Sequence, residues 1–275
     1  MSESRRREYL QAIGIDVWVS RHAPAVEEAA ASFGPGRERG NTATTSLEAS
    51  ARAQEAPLRA PREEHPIVRA NQLAQAERLP LPPETESQWD TLKAEVLSCK
   101  KCSLHTTRTQ GVFGVGNRRA DWLIIGEAPG AEEDRQGEPF VGRAGQLLNA
   151  MLRSIGLPRE AVFIANVLKS RPPGNRDPKP DEVGACLPYL MRQIALLQPK
   201  LMLAVGRIAA QNLLATDVSL GRLRGQVHTF GELNTPLIVT YHPAYLLRTP
   251  ADKRKAWEDL KFARSVFQRL AMQEQ

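Results

Sequence analysis

The chain has 275 residues, which is enough for one or two domains with a hydrophobic core. Hydrophobic residues make up 41% of it, and no apolar run approaches the roughly 18 residues that a membrane span requires. These values exclude collagen-like, wholly disordered and membrane-spanning classes. Three Cys, two of them spaced as Cys99-x-x-Cys102, suit metal ligation in a reduced compartment better than a disulfide framework, so we predict a cytoplasmic protein.

The net charge of +6 is concentrated in the C-terminal part of the chain. Residues 1–21 carry +1 and residues 22–88 carry −3, which leaves +8 for residues 89–275. A basic domain suits a polyanionic partner such as DNA, although a solvated basic surface without a partner has the same composition.

Residues 1–21 contain a short apolar pattern. Leu10 and Ile13 lie on one face of a predicted helix that Gly14 ends, and Trp18 follows in a short extended piece. A helix shorter than roughly 12 to 15 residues is marginal by itself. The segment therefore either packs on its own domain or binds another protein as a peptide.

The next part of the chain cannot form a core. Between Trp18 and Trp89 the only aromatic residue is Phe33, and the interval contains eight Pro. Too little apolar surface is available to offset the entropy of ordering the backbone. We predict a disordered linker over residues 22–88, which as a flexible chain would span about 45 Å.

From residue 89 onward, short apolar runs alternate with helical patterns, which predicts an α/β domain over residues 89–275. The predicted strands are 122–125, 162–167, 201–205 and 237–241. The predicted helices are 144–155, 181–197, 208–214 and 255–270. The expected fold is a three-layer α/β/α sandwich around a four-stranded parallel sheet, with its ligand bound beyond the carboxyl ends of the strands.

Three of these strands end in polar or turn-forming segments, which are residues 126–134, residues 166–178 and residues 242–248. The glycines of the first segment allow a ligand to approach the backbone closely, and its carboxylates could hold a water molecule. Because the three ends meet at one edge of the sheet, we predict a ligand site there.

The segments 126–134 and 242–248 resemble the two signature motifs of the family-4 uracil-DNA glycosylases, the bacterial and archaeal branch that bears an iron-sulfur cluster. The resemblance runs from about residue 92 to residue 266. It implies a DNA-repair hydrolase that excises uracil by breaking its N-glycosidic bond. Such an enzyme must hold an extruded base and stabilise negative charge on the departing uracil.

The resemblance also implies roles for individual residues. Phe140 is expected to stack on the flipped base, Asn166 to read its Watson-Crick edge, and His242 to donate to the developing oxyanion. Glu133 and Asn175 are expected to orient the attacking water. The remaining implied roles are the uracil pocket for Gly126 and Glu127, a wedge that fills the gap in the duplex for Leu246 and Leu247, and a phosphate contact for Arg248.

One position departs from the family pattern. Family members ligate a four-iron cluster with four Cys, of which Cys99, Cys102 and Cys186 are present, whereas Ser170 stands at the fourth position. A hydroxyl is a poor substitute for the thiolate that such clusters require. Three outcomes stay open: a labile four-iron cluster with an oxygen ligand, a three-iron cluster, or no cluster. We expect a degraded or absent cluster.

Residues 4–18 resemble the start of the psi subunit of bacterial DNA polymerase III, where this region binds the chi subunit. This second resemblance implies a glycosylase tethered to the replication machinery, with chi as a partner of residues 1–21. Two other functions stay open, a non-catalytic psi-like subunit that reuses the glycosylase fold and a simple single-strand nucleic-acid binder. Phe140, Asn166 and His242 favour the enzyme, whereas Ser170 and the N-terminal segment favour the subunit.

Overall fold

The computed structural model describes residues 81–273. No helix in that range is long and apolar enough to cross a membrane. The strands are β1 (Val115–Gly116), β2 (Trp122–Gly126), β3 (Phe163–Asn166), β4 (Leu201–Val205), β5 (His228–Phe230) and β6 (Thr235–Thr240). The helices are α1 (Pro83–Ser98), α2 (Ala131–Gln136), α3 (Arg143–Ser154), α4 (Pro180–Leu197), α5 (Arg207–Leu214), α6 (Leu220–Leu223), α7 (Pro243–Arg248) and α8 (Lys253–Gln273).

The sheet has six strands in the order β1-β3-β2-β4-β6-β5. Its four central strands are parallel and correspond to the four predicted strands, whereas β1 and β5 pair antiparallel at the edges. The prediction of a four-stranded parallel sheet was therefore incomplete. The edge strands have only two and three residues and no fully buried position, so they lack the continuous apolar run that marks a buried strand.

The two faces of the sheet are covered by different helices. Leu123 and Ile125 pack in one core cluster with buried residues of α1, α4 and α5. Ile124, between them, packs in a second cluster with residues of α3 and α8. Because both faces of the strands are covered, their sequences are continuously apolar, and the predicted three-layer α/β/α architecture is confirmed.

The first described helix begins before the predicted domain boundary. Helix α1 starts at Pro83, so residues 83–88 of the predicted linker are helical here. Pro suits the first turn of a helix, since its missing N–H has no partner to lose there. Trp89 and Leu92 are fully buried and fix the helix to the domain. Residues 22–80 of the linker and the peptide over residues 1–21 lie outside the described residues.

The parallel register brings the carboxyl ends of the central strands to one edge. Gly126 at the end of β2 lies opposite Asn166 at the end of β3, and Val205 at the end of β4 lies opposite Thr240 at the end of β6. The loops that follow these strands consequently leave the sheet side by side.

Candidate active site

A cleft of about 650 Å³ opens where these loops emerge. It gathers residues from the ends of all four parallel strands, as the sequence predicted for three of them. The predicted site residues that line it are Glu127, Glu133, Phe140, Asn166, Asn175, His242 and Arg248. Gly126 contacts Asn166 and Phe140 closely. A Cβ at position 126 would stand 2.4 Å from Oδ1 of Asn166 and 2.6 Å from Cζ of Phe140, so only glycine fits there.

Asn166 presents an unused acceptor. Its side chain is 2% exposed, and its Oδ1 atom has no hydrogen-bond partner within residues 81–273. A buried polar atom left unpaired typically costs about 1–3 kcal/mol. An N–H group of a ligand bound in the cleft would remove that cost.

His242 is held in one tautomer. It caps the N-terminus of α7, where its Nδ1 atom accepts a hydrogen bond from the amide of Ala244 at 3.1 Å. Burial, and to a smaller extent the charge of Arg248, lowers the pKa of His242 to about 4, while Glu133 acts in the opposite direction. The ring is therefore neutral at neutral pH and carries its proton on Nε2, which makes Nε2 a donor.

The carboxylate of Glu133 is already engaged by the backbone. Its Oε2 atom accepts from the amide of Gly130 at 3.1 Å, and its Oε1 atom accepts from the amides of Val141 and Gly142 at 3.0 and 3.1 Å. These bonds join the start of α2 to the loop before α3. They use most of the accepting capacity of a carboxylate, and orientation of water by Glu133 stays a prediction.

Glu127 has a different environment. Burial, and to a smaller extent the charge of Asp177, raises the pKa of Glu127 to about 7, while Arg207 acts in the opposite direction. Arg207 forms an ion pair with Asp177 at 2.6 Å. A carboxyl group with a pKa near the working pH is suited to accepting a proton in the reaction.

Asn175 lies at the exposed rim of the cleft in the left-handed conformation, with φ of 55°. Its Oδ1 atom accepts a hydrogen bond from Nε of Arg171 at 2.8 Å. The arginine orients this amide, so that the amide nitrogen of Asn175 is the group left for a ligand or a water.

The structure separates the two leucines that were predicted to form a wedge. Leu246 is 1% exposed and packs in the core with residues of α3, whereas Leu247 is 36% exposed and Arg248 is also on the surface. Successive residues of a helix point in different directions, so both leucines cannot face the DNA. The assignment of Leu246 to the wedge is contradicted, and Leu247 and Arg248 remain candidates.

Comparison of the sequence with known protein families assigns the domain that contains this cleft to one family. The model of the family described as the uracil DNA glycosylase superfamily matches residues 113–261. The chain belongs to the uracil-DNA glycosylase superfamily. The predicted resemblance to this family is confirmed for the domain, whereas the psi-like resemblance of residues 4–18 lies outside both the matched and the described residues.

Several curated relatives share the name "Type-4 uracil-DNA glycosylase". The protein of Archaeoglobus fulgidus is 46% identical over 178 residues, which cover 62% of this chain and 89% of the relative. That of Sulfurisphaera tokodaii is 43% identical over 184 residues, 64% of this chain and 84% of the relative. That of Thermotoga maritima is 39% identical over 188 residues, 67% of this chain and 97% of the relative.

The glycosylase domain brings its three cysteines near one another. Cys99 follows the end of α1, Cys102 precedes the short turn that begins at Ser103, and Cys186 is buried in α4. Burial raises the pKa of the Cys186 thiol, the amide of Lys169 opposes this, and the neighbouring Cys102 and Cys99 add to the increase. All three side chains belong to one part of the core, in which Cys99 and Cys102 pack against the cluster that contains Cys186.

Ser170 stands where family members have a fourth Cys ligand, and its hydroxyl is already hydrogen-bonded within the domain. Ser170 is 3% exposed, and its Oγ atom accepts a hydrogen bond from Nη1 of Arg108 at 2.8 Å. The same guanidinium donates to the carbonyls of Leu97 and Cys99 at 2.9 Å. Within residues 81–273 no three His, Cys, Asp or Glu are arranged to hold a metal ion. Three thiols and an engaged hydroxyl do not fit a cluster that requires four thiolates.

Some residues that line the cleft were not predicted from the sequence as site residues. Among them are Gly206 and Arg207 after β4, and Tyr241 and Tyr245, whose rings stack with centroids 5.1 Å apart. Gly206 could have been found, because it directly follows a predicted strand as the other site residues do. It has φ of 103°, and a Cβ there would lie 3.0 Å from Cβ of His242. The stacking of the two tyrosines depends on the turn of α7, which the sequence did not predict.

Proposed function

We propose that this chain is a uracil-DNA glycosylase that hydrolyses the N-glycosidic bond of uracil in DNA. The observation that carries the proposal is the convergence of three groups around one cleft: a neutral His242 with a donating Nε2, the unpaired Oδ1 of Asn166, and the ring of Phe140. The names of the relatives support it. The charge of +8 on residues 89–275 suits a DNA substrate.

Each group meets one requirement of the reaction. The ring of Phe140 stacks on the extruded base, a contact that contributes about 1–3 kcal/mol in other proteins. The amide of Asn166 accepts from the N–H on the Watson-Crick edge of the base. Nε2 of His242 donates to a carbonyl oxygen of the base as the C–N bond breaks and the bonding electrons move onto the uracil. Water then adds to the sugar and gives up a proton.

The proposal is tested by incubating the full chain with single-stranded and duplex DNA that contain one uracil, with thymine at that position as the control. We expect release of free uracil from both substrates. Leu247→Ala should lose activity chiefly on the duplex, because only there must a gap be filled, while Leu233→Ala, at an exposed site outside the cleft lining, should have no effect. Failure to release uracil from either substrate would refute the proposal.

We further propose that Glu127, rather than Glu133, receives the proton of the water. The carboxylate form is then the active one, so the single-turnover rate should rise as pH increases through about 7, the pKa of this group. Glu127→Gln should lower the rate by about 10²- to 10⁴-fold and abolish this rise. Glu132→Gln, at an exposed carboxylate of α2, is the matched control and should leave the profile unchanged. A Glu127→Gln variant with the same rise would contradict the assignment.

For the cofactor, we propose that the domain holds a degraded cluster or none, since Ser170 offers an oxygen already bound by Arg108. Ser170→Cys should raise iron content after anaerobic reconstitution and raise the melting temperature, because it restores thiolate ligation. Ser154→Cys, which adds a thiol in α3 across the sheet, controls for iron uptake by any extra thiol. Four irons per chain in the parent, unchanged in Ser170→Cys, would contradict this proposal.

A partner-binding role is proposed for residues 1–21, which lie outside the described residues. Its support is the apolar set Leu10, Ile13 and Trp18 and the resemblance to the psi subunit. Trp18→Ala should weaken binding to the chi subunit by at least about 2 kcal/mol in a calorimetric titration. Deletion of residues 1–21 should abolish that binding and leave the melting temperature unchanged. Retained binding of chi, or a lower melting temperature without any partner, would contradict the proposal.

A further inference from the structure

Phe140, the proposed stacking platform, has an unusual backbone. It lies in the loop between α2 and α3 with φ of 54°, in the left-handed region, and its side chain is 6% exposed. For a bulky residue this conformation is an outlier, and it persists only where surrounding contacts impose it. The identity of those contacts therefore determines where the ring stands.

The carbonyl side of this loop is held by Arg159, in the short turn Arg159–Ala161. Its Nη2 atom donates to the carbonyl of Pro139 at 2.7 Å, and its Nη1 atom donates to the carbonyl of Phe140 at 3.3 Å. Nη1 also donates to Oδ1 of Asn149 in α3 at 3.1 Å, and this third bond holds the guanidinium in place. These bonds are partly buried, and burial lowers the pKa of Arg159, while the charges of Glu138, Glu160 and Glu133 act in the opposite direction.

The amide side of the same loop is held by Glu133, through the amides of Val141 and Gly142. The loop is therefore fixed between a guanidinium that binds its carbonyls and a carboxylate that binds its amides. The peptide groups on either side of Phe140 cannot rotate without breaking bonds to one of these charged groups. Neither charged group needs to contact the base to control the ring.

We propose that Arg159 is a positioning residue of this glycosylase, which holds Phe140 in the left-handed conformation so that its ring is in place before the base arrives. The inference rests on the proposed function, because it assigns Phe140 to the extruded base. A planar guanidinium suits the task, since it can bind two successive carbonyls and a side chain at once, which an ammonium group on a flexible stem does less well. A preformed platform spares the cost of ordering the loop during binding.

The test is a double-mutant cycle on kcat/KM for uracil release from single-stranded DNA. Arg159→Gln should lower kcat/KM by about tenfold, and Arg159→Lys by less. In a Phe140→Ala background, Arg159→Gln should cause little further loss, because the residue acts only through that ring. Arg153→Gln is the matched control, since this exposed arginine bonds the carbonyl of Asn149 but has no bond to the loop.

Two results would overturn the proposal. One is a loss of kcat/KM from Arg159→Gln that is as large in the Phe140→Ala background as in the parent. The other is a crystal structure of Arg159→Gln in which Phe140 keeps a positive φ. If Arg159→Gln does not fold, Asn149→Ala replaces it in the cycle, because it removes one anchor of the guanidinium and leaves the loop sequence intact. A parent that releases no uracil refutes the proposed function instead, whereas the crystal structure still decides the role of Arg159.

Discussion

Replacement of His242 by Ala should lower the rate of uracil release by about 10²- to 10³-fold, the usual effect of removing one donor to a developing oxyanion. The neutral imidazole is bound to the amide of Ala244 through Nδ1, so Nε2 is its donor. The variant loses that donor, whereas binding of DNA depends mainly on phosphate contacts elsewhere. Single-turnover rates and DNA affinity, measured on the same preparation, separate the two effects.

His242→Gln and His228→Ala are the controls for this result. Gln can place an N–H near the position of Nε2, so part of the activity should return. His228, on β5, bonds the carbonyl of Leu223 and is outside the cleft lining, so its replacement should leave the rate unchanged. An NMR titration should find the His242 ring neutral down to about pH 4. Protonation near the ordinary value of 6.5 would contradict the neutral donor.

Gly145→Ala should both destabilise the domain and reduce its activity. A Cβ at Gly145, in the first turn of α3, would lie 1.8 Å from the carbonyl oxygen of Phe140, so the loop that carries the stacking ring would have to move. Overpacking of this kind typically costs about 1–3 kcal/mol. We expect a lower free energy of unfolding in urea and a lower kcat/KM in the fraction that remains folded.

Gly184→Ala is the matched control for this substitution. Gly184 is exposed within α4, and a Cβ there would have no atom within 4 Å. Since Ala is the better helix former, this variant should be as stable as the parent or more stable by up to about 1 kcal/mol. A Gly145→Ala variant with the stability and activity of the parent would show that the Phe140 loop is free to move.

Several features of the site could be predicted from local sequence. Asn166 and His242 lie within segments at the ends of apolar runs, and the parallel arrangement of those runs was itself predicted, whereas Phe140 was assigned only by the family resemblance. The family resemblance, carried by segments 126–134 and 242–248, implied a role in one reaction for Phe140, Asn166 and His242. Leu246 and Leu247, in contrast, are adjacent and chemically alike, so the sequence could not tell which one packs in the core.

The sequence by itself determined the α/β class, the four central strands and the edge of the sheet at which the cleft lies, because these follow from hydrophobic patterns within a few residues. Only the tertiary structure decided the edge strands, the bonds of Glu133 and Arg159 to the Phe140 loop, and the pKa values of Glu127 and His242. These depend on groups far apart in the chain, such as Arg159 and Phe140 or Glu127 and Arg207. Burial and long-range hydrogen bonds arise only when separate segments pack together, so no local pattern encodes them.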